Sequence, residues 1–246
     1  MLTALRRLAR AYVPEAPRLA VAAARRRLRD RVSGDGRRLV RRCTAAAPLP
    51  HRIVEISQPI RNTAFLGGKL ANIRLGVSRL DGIVIAPGEI FSFWTLIGRP
   101  SPEAGFALGR SIRGGAVGGE IGGGLCQLSG IAYELFLRAG LDVLERHAHS
   151  HDLYSEEERF TPLGLDATVV WPFRDLRLAN GLDVPVIARF TVDGLTLNAS
   201  LHAARAIVPK AIEIERTDHA ARREVSVSRD GAPISHDHYL VAPLLS

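Results

Sequence analysis

From Cys126 onward the apolar positions keep a helical rhythm: Leu128, Ile131, Ala132, Leu135, Phe136 and Ala139, with Gly140 placed to end the run. This spacing predicts one helix near the centre of the chain. Much of the rest reads as short segments rich in β-branched and aromatic residues, which predict strands. Residues 83–85 and 90–94 are two of them, parted by the Pro87-Gly88 turn. Residues 141–144, running on through 145–151, then 166–171, 175–178, 186–192 and 195–202 continue the series. Asp193-Gly194 and Asp230-Gly231 are hairpin signals, the second between 224–228 and 234–241. Between 51 and 112 no long helical period stands out. The expected class is α+β: one central helix following a Gly-rich loop, packed on a mostly antiparallel sheet, with a basic helical N-terminal arm.

The arm differs from the rest. Residues 1–42 hold thirteen arginines against Glu15, Asp30 and Asp35, so they carry +10, and the remainder of the chain is close to neutral at −2. Alanine, leucine and arginine are good helix formers, which predicts helices over 1–11 and 18–32 with Pro14 and Pro17 between them. Pro48 and Pro50 mark a linker. Three segments are expected: a basic arm and linker over 1–50, a main domain over 51–205, and a C-terminal extension over 206–246 that folds as a β-hairpin.

Charge confined to an arm disfavours nucleic acid as a partner of the core. An anionic membrane surface suits arginine and leucine interleaved on a helix. The longest uncharged run of the arm, 19–24, ends in three arginines and is shorter than a secretory h-region of ~7–15 residues. No stretch approaches the ~18 apolar residues of a membrane span. The expected location is therefore cytoplasmic, with peripheral attachment to the inner membrane surface. Two cysteines, Cys43 and Cys126, exclude a disulfide framework.

Chemistry concentrates after residue 113. Seven glycines fall in the eleven positions 114–124 and lead directly into the helix that carries Cys126. No Gly-Lys-Ser/Thr follows them, so a phosphate loop is disfavoured. A thiol at a helix N-terminus is instead favoured as thiolate by free amides and the macrodipole. Glycines let a substrate approach closely, so Gly123, Gly124 and Gln127 are candidate binding residues and oxyanion donors. Downstream, His147, His149 and His151 alternate and would share one face of a strand. His149 or His147 is the candidate base for Cys126, Asp166 the group that orients it, and His151 a further binding residue. No cofactor is required by this reading. The alternative is zinc held by His147, His149 and His151.

Five segments also resemble a known family. These are residues 62–73, Pro87-Gly88-Glu89-Ile90-Phe91-Ser92-Phe93, Gly122-Gly123-Gly124-Leu125-Cys126-Gln127-Leu128-Ser129, Glu145-Arg146-His147-Ala148-His149-Ser150-His151, and Gly164-Leu165-Asp166-Ala167-Thr168-Val169. In order and content they are similar to the VanW family, the vancomycin B-type resistance accessory proteins. The resemblance implies a link to glycopeptide resistance and the cell envelope, and hence a peptide or cell-wall-derived substrate. The order Cys, His, Asp also resembles that of transglutaminase-like and papain-like thiol enzymes. Two functions are expected from this: a cysteine-dependent amidase or acyltransferase, or a non-catalytic envelope-associated module binding peptide, glycan or metal.

Overall fold

The computed structural model describes residues 14–41, 49–62, 64–113, 116–152, 154–155 and 159–241. The helix expected over 1–11, and Cys43, lie outside them. The fold is α+β, with four helices and thirteen strands among the described residues.

Helix α1 (Glu15–Ser33) leads into a sheet of β1 (His51–Pro59), β10 (Thr196–Ala203), β9 (Val186–Asp193) and β2 (Ile83–Ile85), in that order and antiparallel throughout. Helix α2 (Leu66–Leu80) and helix α4 (Leu125–Ala139) pack on it and on each other. A second sheet joins β3 (Ile90–Ser92), β8 (Arg177–Ala179) and β6 (Asp142–Glu145), and the short helix α3 (Phe93–Ile97) follows β3 directly. Strands β4 (Leu108–Arg113) and β5 (Ala116–Ile121) form a glycine-rich hairpin.

Helix α4 is the centre of the core. Leu128, Ile131, Leu135 and Phe136 are wholly buried, and Phe91 stacks on Phe136 at 4.8 Å between ring centroids. Burying each such side chain stabilises the fold by about 1.5–3 kcal/mol. Gly140 ends the helix in the left-handed conformation, φ 93°, as its sequence position predicts.

Several expectations change. Helix α2 was not expected from its pattern. Residues 166–171 form no strand; they run as an irregular connector whose carbonyls serve side chains, Ala167 O accepting from Ser129 Oγ at 2.6 Å. The stretch 146–150 is likewise an extended connector, and only His151–Asp152 is a strand, β7. The C-terminal extension exceeds a hairpin. Strand β11 (Ile212–Asp218) adds to β12 (Arg222–Arg229) and β13 (Ala232–Val241), and β7 pairs in parallel with β13. The β12–β13 turn has Asp230 at φ 51° and Gly231 at φ 77°, the backbone that Asp-Gly supplies.

The basic arm joins the domain rather than standing apart from it. Arg177 donates to Asp30 through both terminal nitrogens at 2.6 and 2.9 Å, and both side chains are nearly buried. Arg26 forks onto Glu145 at 2.7 and 2.9 Å. Burial raises the Glu145 pKa, but Arg26, the Asp175 amide and His147 outweigh it and lower it to about 2. Removing one member of a buried pair strands the other charge. Asp30→Ala is expected to cost about 3 kcal/mol, read as a lower urea midpoint with an unchanged slope. An unchanged midpoint would mean that α1 contributes nothing to the fold. No helix among the described residues is long and apolar enough to cross a membrane.

Candidate active site

Cys126 sits in the first turn of α4, and its position there depends on close backbone packing. Gly124, the residue before the helix, is left-handed at φ 102°, and a Cβ at Gly123 would lie 2.2 Å from the Gly109 carbonyl oxygen. Only glycine fits there. Buried Asn72 fixes this approach: its side-chain amide donates to the carbonyls of Ala107 and Gly123 at 3.0 and 2.9 Å, while its oxygen accepts from the Ala107 amide at 2.8 Å.

The loop divides its amides between structure and site. Those of Gly123, Leu125 and Gln127 donate to the carbonyls of Glu120, Gly122 and Gly124. The amides of Gly124 and Cys126 have no such acceptor among the described residues, so they are the free donors at the mouth of the helix. Gly123 thus serves packing rather than donation. Gln127 is committed elsewhere: its amide donates to Pro59 O at 2.9 Å and ties α4 to β1. One of its two side-chain N–H donors is thereby taken up by structure.

The three histidines part company. His147 faces Glu145, with Nε2 3.1 Å from a carboxylate oxygen. His151 faces its neighbour Ser150 at 2.9 Å. His149 alone joins Asp166 and Cys126. Its Nδ1 lies 2.6 Å from Asp166 Oδ2, and its backbone amide donates to the same oxygen at 2.7 Å. With Nδ1 occupied by Asp166, Nε2 is the ring nitrogen left to serve Cys126, which lies close enough to help raise the ring's pKa. Burial pushes the His149 pKa down; the hydrogen bonds and charges of Asp166 and Cys126 outweigh it and raise the pKa to about 10. The ring still keeps 37% of its surface open. The three rings therefore do not converge as a metal set. Among the described residues, the group spaced for a metal is Glu224, His236 and His238, outside this site.

Asp166 is held on every side. Its Oδ1 accepts from Tyr239 Oη at 2.6 Å and from Arg146 Nη2 at 2.9 Å. Burial raises its pKa, and His149, Arg146 and Tyr239 reverse this, holding it well below the usual carboxylate range. Arg146 also donates to the carbonyls of Asp166 and Gly164 and pairs with Asp237. Tyr239 and Asp237 both come from β13, in the C-terminal sheet. Arg146, Tyr239, Asp237 and Asn72 are site residues that the sequence reading does not single out; Arg146, adjoining the histidines, and Asn72, within 62–73, lie in segments that carry the family resemblance.

Cys126, His149 and Asp166 open into a cleft of about 2020 Å³. Eight lysine and arginine side chains line it against four acids. Helix α1 contributes one wall and the loop 168–173 another. The thiol lies 3.8 Å from the Val169 carbonyl, to which it donates weakly.

No solved structure matches the chain. Over 158 residues it is 27% identical to the uncharacterized protein YoaR of Bacillus subtilis, covering 64% of this chain and 50% of that one. Over 125 residues it is 30% identical to the vancomycin B-type resistance protein VanW of Enterococcus faecalis, covering 51% and 46%. The chain thus spans about half the length of the curated relatives it matches. The family model described as VanW like protein matches residues 68–202, more than half of the chain and the segment that carries Asn72, Cys126, His149 and Asp166. The chain belongs to the VanW family.

Proposed function

We propose that the protein is a cysteine-dependent amidase or acyltransferase acting on a peptide amide. The observation that supports this most directly is the Asp166–His149 pair beside Cys126, with Asp166 on Nδ1 at 2.6 Å and the thiol close enough to help raise the ring's pKa. Cys126 is the nucleophile. His149 is the acid and base, and Asp166 positions it. The free amides of Gly124 and Cys126 are the oxyanion donors.

The chemistry follows in two halves. The Cys126 sulfur attacks the amide carbon, and the carbonyl oxygen takes up negative charge facing the two amides. His149 then gives its Nε2 proton to the departing amine, the C–N bond breaks, and a thioester remains on Sγ. Water, or an acceptor amine, attacks the thioester as His149 takes its proton, and the freed thiolate again faces the imidazolium. Kinship with a protein named for vancomycin resistance makes cell-wall stem peptides the first substrates to try.

Intact-protein mass spectrometry after incubation with stem peptides and with an activated acyl ester is the test. An acyl adduct on Cys126 is expected in the native protein, absent from Cys126→Ala and strongly reduced in His149→Ala. A folded protein that takes up no acyl group on Cys126 would overturn the proposal and leave a binding module.

A further inference from the structure

Beside the Cys126 turn lies a pair of cations that meet no counter-ion among the described residues. Lys69, on α2, is only 7% exposed, and neither a carboxylate nor any hydrogen-bond acceptor among the described residues pairs with it. Its stem rests against the entry to α4: a Cβ at Gly124 would sit 2.6 Å from Lys69 Cγ. Arg110, on β4, lines the same cleft, and its buried Nε has no hydrogen-bond partner.

Both cations lie over aromatic rings instead of carboxylates. Lys69 Nζ is 5.7 Å from the Phe160 ring centre, the Arg110 guanidinium is 5.9 Å from that of Tyr154, and the two rings meet edge to face at 5.9 Å. Ring faces attract cations without using their N–H donors. The one glutamate of the β4–β5 hairpin that lines the cleft, Glu120, accepts from Ser111 at 2.9 Å. A buried lysine next to a second cation is costly unless an anion completes the set.

We infer that Lys69 and Arg110 form an anion subsite beside the start of α4 that takes a carboxylate or phosphate group of the substrate next to the bond attacked by Cys126. The inference rests on the thiol-enzyme reading for its place in a reaction, though not for the binding itself. It narrows the substrate class to acyl compounds with an anionic group close to the scissile amide. Burial and the charge of Arg110 bring the Lys69 pKa down to about 8, which leaves it mostly cationic at neutral pH.

Two alkylating reagents of similar size separate the possibilities: anionic iodoacetate and neutral iodoacetamide. The ratio of their rates at Cys126 is measured in the native protein, Lys69→Met, Arg110→Gln and Lys69→Arg. The ratio is expected to fall at least tenfold in Lys69→Met, to fall less in Arg110→Gln, and to be largely restored in Lys69→Arg. Lys69→Met is expected to fold at least as stably as the native protein, because it removes an uncompensated buried charge. A ratio that ignores both substitutions would overturn the inference.

Failure of the thiol reading shows differently, as a folded protein inert to iodoacetamide itself. The subsite is then read without the thiol, by the rise in Tm on adding acetate or inorganic phosphate, which Lys69→Met must abolish. The anion giving the larger Lys69-dependent rise tells a carboxylate from a phosphoryl group. No rise with either would overturn the inference by this route.

Discussion

His149→Ala is expected to slow iodoacetamide capture of Cys126 at pH 7 by about a hundredfold or more, the range that a positioned acid–base partner contributes. His149 is the only one of the three neighbouring histidines that meets both Asp166 and the thiol, so His147→Ala and His151→Ala should change the rate less than threefold or so. The pH dependence has a sign. His149 titrates at about 10, above the ~6.5 of a free imidazole. The stability that its charged form contributes is therefore complete below about pH 6.5 and lost as pH rises through about 10. The native reaction should keep its histidine dependence across neutral pH, and the gap between native and His149→Ala rates should close toward pH 10. Equal rates for the two proteins at pH 7 would remove His149 from the chemistry.

The second large effect concerns stability. Arg146→Met is expected to cost about 3–5 kcal/mol, as breaking a buried charge network does. Its side chain is 5% exposed and holds two backbone carbonyls and two carboxylates, Asp166 and Asp237. Methionine can fill much of the space while leaving those four acceptors short of a donor. Chemical denaturation reads the loss directly. Its acid limb is diagnostic: a depressed carboxylate contributes stability that is present above ~3.9 and lost as pH falls through its lower folded value. Without Arg146 the depression of Asp166 shrinks, so less of the stability lost in acid should come from this carboxylate. A variant that melts within ~0.5 kcal/mol of the native protein, the scale of an ordinary surface change, would show that the network contributes little to stability.

Much of the candidate site was legible because its parts are local. A glycine run, a helix start and a cysteine between them are contiguous, and the histidine stretch lies on the next connection. The choice among His147, His149 and His151 was not legible. It depends on Asp166, whose segment was read as a strand from its β-branched residues and is in fact an irregular connector. Helix α2 was hidden for a related reason. Gly67, Gly68 and Gly76 dilute its period, and its buried face carries Lys69 and Asn72, polar residues turned inward to serve the cleft and the glycine loop. A hydrophobic pattern reports packing and misses a face built for binding. Tyr239 gave no local signal at all, since its partner Asp166 is 73 residues away.

That separation has a temporal side. A ribosome delivers Cys126, His149 and Asp166 well before Tyr239 and Asp237, and β13 follows them by some seventy residues of chain. A nascent polypeptide halted after residue 203 already has Cys126, His149 and Asp166, but Asp166 still lacks one of its two Oδ1 donors and Arg146 still lacks Asp237. Two of the contacts that support Asp166 and Arg146 are therefore completed only when the last sheet is in place. A cut that removed β13 would take Tyr239 from Asp166 and Asp237 from Arg146 while leaving Cys126, His149 and Asp166 in the chain.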